Sequence, residues 1–89
     1  MSKINLTLRN ETDFEIVFIV GKKSFTISAG QSTRIKIESR KSIEVRPRFL
    51  GISSSFIVGG LKKDAAIECT VDEAKNGNKH KLLLRPMEL

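Results

Sequence analysis

Apolar and polar residues alternate with a period of two along most of this chain, and helical periodicity is almost nowhere present. In "KINLTLR", Ile4, Leu6 and Leu8 fall on one face and Asn5, Thr7 and Arg9 on the other. The polar cluster "NETD" (10–13) reads as a turn. "FEIVFIV" (14–20) follows and is apolar on both faces apart from Glu15. Phe14, Ile16, Phe18 and Val20 point one way, Val17 and Ile19 the other. A strand apolar on both sides needs cover on both sides, supplied by the rest of the domain or by a second chain. The same holds for Leu83 between Leu82 and Leu84.

Beyond "GKK", "SFTIS" carries Phe25 and Ile27 inward, and "AGQS" (29–32) turns the chain. "TRIKIE" buries Ile35 and Ile37 while presenting Arg34, Lys36 and Glu38. "SRKS" (39–42) connects it to "IEVRPRFL", where Ile43, Val45 and Phe49 face inward and Glu44, Arg46 and Arg48 outward. Pro47 lacks an amide hydrogen and so suits an edge strand or a bulge. "ISSSFIV" reads as one further strand and "GGLKKD" (59–64) as a glycine-marked loop. "AAIECTV" (65–71) directs Ala65, Ile67, Cys69 and Val71 to one side. "DEAKNGNKH" is a long polar connection in which "DEAKN" can form a single helical turn, and "KLLLR" closes before Pro86. Seven or eight short strands punctuated by turns predict one all-β domain over residues 1–89. The predicted architecture is a small antiparallel β-sandwich of the Ig/prealbumin-like kind.

Composition narrows the chemistry. The 89 residues contain one cysteine, so no internal disulfide supports the fold and packing must do so. A hydrophobic content of 39% is enough for a core. "MSKINLTLRN" alternates at once and shows no secretory pattern, while the longest apolar run, "IVFIV", is far shorter than the roughly 20 residues of a membrane-spanning helix. These features predict a cytoplasmic protein with no membrane partner, and the lone thiol fits a reducing compartment.

Catalytic and metal chemistry find little footing. The single histidine, His80, sits in the polar connection, and Cys69 points inward with Ile67 and Val71, where a free thiol packs as a small apolar group. One His and one Cys fall short of the three or four protein ligands of a zinc site. "VDEAKNGN" lacks the alternating oxygen ligands of a calcium loop. "VGGLKK" (58–63) lacks both the P-loop spacing and a following helix. "NLT" (5–7) and "NET" (10–12) match the glycosylation pattern, but without a secretory signal they meet no glycosylation machinery. The expectation is a non-enzymatic protein without cofactor or metal.

Sixteen Lys and Arg against ten Asp and Glu give a net charge of +6, which favours acidic partners and polyanions. If "TRIKIE" and "IEVRPRFL" form a hairpin across "SRKS", their outward residues share one face. Arg34, Lys36, Arg46 and Arg48 then form a basic binding face, with Glu38 and Glu44 as partial counter-charges. The absence of Trp and Tyr, with the phenylalanines mostly at core positions, argues against base stacking. Phosphate contact without base readout remains open to such a face.

The order "N-E-T" turn, apolar strand, "GKKSFTISAGQS", "RIKI", "SIEV", a serine-containing strand and "IECTV" (residues 14 to 71) resembles the small bacterial β-sandwich domains of the PEGA type. "GKK" replaces their usual Asp-Gly-Lys, and the name-giving tetrapeptide is absent. The resemblance implies a compact sandwich used for interaction and carries over no binding residues. The leading expectation is a module that binds a protein partner through a sheet edge or face. The alternative is a sequence-independent binder of nucleic acid or another polyanion, and a homodimer would also cover an apolar face.

Overall fold

The computed structural model describes residues 2–73 and 80–87. Nine strands and no helix occur among them: β1 (Lys3–Asn10), β2 (Ile16–Val20), β3 (Lys23–Ile27), β4 (Ser32–Glu38), β5 (Ile43–Phe49), β6 (Ile52–Ser53), β7 (Phe56–Val58), β8 (Ala65–Glu73) and β9 (His80–Met87). They form two sheets. The first has the order β4-β1-β8-β9, and the second the order β3-β2-β5-β6 with β7 also paired to β5. Each sheet turns its apolar residues toward the other. Leu6, Leu8 and Ile35 of the first sheet and Ile16, Phe18 and Val45 of the second belong to a single buried cluster. The all-β expectation holds. The expected all-antiparallel pairing does not, because β1 and β8 run parallel, with Leu6 opposite Ala65 and Asn10 opposite Cys69.

Three boundaries differ from the alternation pattern. The second strand starts at Ile16 and not at Phe14. Asn10 and Thr12 capture the backbone of Phe14 before it can join a ladder: Phe14 O accepts from Asn10 Nδ2 at 2.6 Å, and Phe14 N donates to Thr12 Oγ1 at 3.1 Å. "ISSSFIV" is divided into β6 and β7. Both pieces pair with β5 in one continuous register, Arg48 opposite Ser53 and Val45 opposite Phe56, which puts Ser54 opposite Pro47. Ser54 N donates to Pro47 O at 3.2 Å, but Pro47 has no hydrogen to return. The ladder therefore breaks there. Pro47 lies in an interior strand of unbroken register, not in the edge strand or bulge expected for it, and is buried.

The third difference is at the C-terminal end. His80 opens β9 rather than lying in a loop, and Pro86 falls inside that strand. Asp72 and Glu73 of the expected helical turn belong to β8, and the remainder of that turn lies outside the described residues.

The β1–β2 turn is held by a fully satisfied polar knot. Asn10 is completely buried. Its Nδ2 donates to Phe14 O and, at 2.8 Å, to Ile27 O at the end of β3. Its Oδ1 accepts from Thr12 N at 2.9 Å and from Thr12 Oγ1 at 2.6 Å. A buried amide stabilises only when all its groups are paired, and here both donors and the acceptor are. The "NET" sequence is thus a structural turn whose amide nitrogen is committed inside the fold.

The short hairpins show what turn chemistry requires. Val20 pairs with Lys23, leaving Gly21 and Lys22 as a two-residue loop with Gly21 at φ 60°. Glycine belongs at such a first central position, where φ must be positive. The Leu50–Gly51 loop between β5 and β6 puts Leu50 in that position instead, at φ 53° and 83% exposed.

Candidate functional site

The topology separates the four residues expected to form one basic face. β4 pairs with β1, Ile35 opposite Leu6 and Ile37 opposite Ile4, while β5 pairs with β2 in the other sheet. "SRKS" therefore crosses from one sheet to the other and does not close a hairpin. Arg34 and Lys36 alternate with buried Ile35 and Ile37, so they project from the outer side of the first sheet. Arg46 and Arg48 alternate with buried Val45 and Pro47 and project from the outer side of the second. The two pairs stand on opposite faces of the molecule. The expectation of a common face is corrected by a non-local fact: the partner of β4 is a strand some thirty residues earlier in the chain.

Arg46 and Arg48 sit directly opposite Ile19 and Val17. Those are the half-buried residues on the second side of the apolar strand. Arginine stems are suited to lie over such a surface while the guanidinium stays in water. The cover sought for Val17 and Ile19 is thus available within the chain. Arg46 also pairs with Glu44 at 3.4 Å.

Arg34 and Lys36 enter a different constellation. Edge strands β3 and β4 flank an open groove of about 530 Å³. Val20, Phe25, Ile35, Ile37 and Ile43 form its apolar part. Lys3, Lys22, Lys23, Arg34 and Lys36 surround it, with Glu38 as the single carboxylate among the described residues. That carboxylate is occupied: Lys41 Nζ lies 2.7 Å from it, and this hydrogen bond, with the Lys41 charge and a smaller contribution from Lys3, holds Glu38 below its ordinary pKa. Among the described residues none of the five cations of the groove forms an ion pair. Arg34 is close enough to add to the lowering of the Asp64 pKa, whose main cause is hydrogen bonding by Asn5 N (2.8 Å) and Asn5 Nδ2 (3.2 Å).

The backbone of the groove's rim can be oriented from the ladder. Ser39 N donates to Ser2 O at 3.1 Å, and Asn10 N to Gln31 O at 2.9 Å. Hydrogen-bonded pairs in an antiparallel ladder recur at every second residue. The odd-numbered residues of β4 therefore bond to β1, and the amides and carbonyls of Ser32, Arg34, Lys36 and Glu38 face outward. On β3 the same reasoning, from Gly21 N donating to Glu44 O at 3.2 Å, leaves the backbone of Ser24 and Thr26 facing outward.

Lys3, Lys22 and Lys23 were invisible as site residues from the sequence. The only signal is the lysine pair of "GKK", which falls at the β2–β3 turn. Cys69 is fully buried, and burial pushes its thiol up to about 12, so it is held as a neutral thiol. No family model matches the chain, and no curated protein or solved structure matches it either.

Proposed function

We propose that this chain is a non-enzymatic interaction module, acting in the cytoplasm, that binds a protein partner by adding one of its extended segments to the free edge of β4. The observation that carries this reading is the edge itself. Of the outer strands, β9 contains Pro86, the β6/β7 edge is interrupted at Ser54 and Ser55, and β3 has five residues. β4 offers seven residues without proline, glycine or interruption. Main-chain pairing supplies affinity in this recognition mode, and side-chain pockets supply selectivity.

The sandwich is of the prealbumin-like kind on this reading. With β6 and β7 counted as one interrupted strand, each sheet has four members, whereas the constant-type Ig arrangement divides four and three. The PEGA-type resemblance is in keeping with such a scaffold used for interaction. Polyanion binding by the four cations together has less support, since the topology puts Arg46 and Arg48 on the face away from Arg34 and Lys36.

The test exploits the outward amide of Lys36. Lys36→Pro removes a hydrogen that β1 does not use, so it blocks edge addition and leaves the β1–β4 ladder intact. A random heptapeptide display library is selected on the wild-type protein and rescreened on Lys36→Pro and Lys36→Ala. Binders lost on the proline variant and kept on the alanine variant are expected. Binders indifferent to the proline, or none enriched at all, would remove the edge from consideration.

A further inference from the structure

Resting on the edge-addition reading, we infer that the occupant of the β4 edge is an acidic extended peptide in which carboxylate and apolar side chains alternate. A strand added to β4 continues the first sheet, so its side chains point alternately to that sheet's outer side and to the space beside β3. On the outer side its neighbours along β4 are Ser32, the exposed Arg34 and Lys36, and Glu38, whose carboxylate Lys41 already holds. On the inner side it meets the apolar part of the groove, including half-buried Phe25. The two rows of the peptide therefore face two different chemistries.

Charge selects the sign. The groove has five cations, and its single carboxylate is already held by Lys41. Lys22 and Lys23 lie in and beside the β2–β3 turn, and Lys3 opens β1 opposite Glu38. All three stand at the end of the groove where β4 finishes, so they extend the positive field along the line of the added strand. Acidic side chains arriving there gain attraction without losing an existing partner among the described residues.

The same cations argue against the other occupants. A second copy pairing β4 with β4 antiparallel would set Arg34 and Lys36 against one another across the junction, and like charges directly opposed are destabilising. Charged side chains on an edge are a usual guard against such self-pairing. Here the guard is selective, because it repels a basic edge and admits an acidic one. A nucleic-acid strand would meet the cations but has no peptide groups for the outward amides of β4. The aromatic of the groove, Phe25, is half-buried in its wall and so less available for stacking.

The experiment uses fluorescent peptides and the intact protein. Anisotropy titrations compare Glu-Val-Glu-Val-Glu-Val-Glu with the peptides carrying Lys or Ser in place of every Glu, and with an oligothymidylate of similar length. Measurements at roughly 20 mM and roughly 200 mM salt expose the ionic part, since screening lengths shorten severalfold over that range. The Glu–Val peptide is expected to bind at least about tenfold more tightly than the Ser–Val peptide at low salt and to lose that advantage at high salt. Arg34→Glu with Lys36→Glu is expected to weaken it by about tenfold or more. Lys22→Glu with Lys23→Glu provides a second reversal outside β4, should the first variant fail to fold by circular dichroism.

Equal binding of the Ser–Val and Glu–Val peptides, both lost on Lys36→Pro, would overturn the acidic occupant and leave edge addition standing. Acidic binding that survives Lys36→Pro would overturn the edge itself. Tighter binding of the oligothymidylate would overturn the peptide in favour of a polyanion, and no binding of any peptide at low salt would overturn both readings.

Discussion

Replacing Asn10 by alanine tests the turn knot and, through it, the way the first sheet is tied to the second. The substitution deletes four side-chain hydrogen bonds, to Phe14 O, Ile27 O, Thr12 N and Thr12 Oγ1. The Thr12 hydroxyl can turn its single hydrogen to Phe14 O, 3.0 Å away, so that carbonyl keeps a donor. Thr12 N has no such substitute within the knot, whereas Ile27 O keeps the ladder hydrogen bond of its pairing with Ile16. A net hydrogen bond is worth about 1 kcal/mol, and an orphaned buried group costs about 1–3 kcal/mol. The expected loss is therefore about 2–4 kcal/mol, against about 4–13 kcal/mol for a domain of 89 residues. Urea titration and thermal melting followed by circular dichroism measure it, with a fall in Tm of roughly 10–25 °C expected. Asn10→Asp separates hydrogen bonding from shape. Its carboxylate would face Phe14 O and Ile27 O without a hydrogen to donate, which raises its pKa in the folded state. A group with a raised folded pKa favours the fold when protonated, so the aspartate variant is expected to recover part of its deficit as pH falls below that value. A loss below about 1 kcal/mol for Asn10→Ala, within the range of ordinary surface changes, would refute the knot.

Other expectations follow from single sites. Pro47→Val restores the hydrogen that Ser54 O lacks, so hydrogen exchange should show a protected amide at position 47 and slower exchange at Ser54 and Phe56; unchanged exchange would mean that the β6–β7 break has another cause. Cys69 should resist thiol reagents until the protein unfolds, and Cys69→Ser should cost about 1–3 kcal/mol by burying a hydroxyl without a partner; rapid labelling of the native protein would contradict its burial. The Asp64 carboxylate is held below its ordinary value of 3.8, so the stability it adds is full above that pH and is lost as pH falls through the lowered value. The difference in urea midpoint between the wild type and Asp64→Ala should shrink accordingly on acidification, and a difference that grew would reverse the assignment. Leu50 at φ 53° carries backbone strain of about 1–2 kcal/mol that glycine would relieve, offset by about 0.5–1 kcal/mol of added unfolded-state freedom. Leu50→Gly is therefore expected to be neutral to about 1 kcal/mol stabilising in urea titration, and a clear loss would show that the exposed side chain has a packing role.

Much of this protein could be read from its residues because strand geometry is local. A side chain's face depends only on its position in a period of two, so Ile4, Leu6 and Leu8 in β1, Ile35 and Ile37 in β4, and Val45 in β5 are buried as their alternation requires. Arg34, Lys36, Arg46 and Arg48 are exposed for the same reason. Alternation contains no information about which strand lies alongside which. A four-residue link such as "SRKS" can close a hairpin or carry the chain across to a second sheet, and the outcome depended on whether β1 or β5 claimed β4. Because β1 did, two arginines moved to the far side, and Lys3, Lys22 and Lys23 took their place beside Arg34 and Lys36. The break opposite Pro47 belongs to the same class. The missing hydrogen is written in the sequence, but the strand that feels its absence is set by the fold. Burial sides follow from local stereochemistry, whereas neighbours between strands follow from the packing of the whole chain.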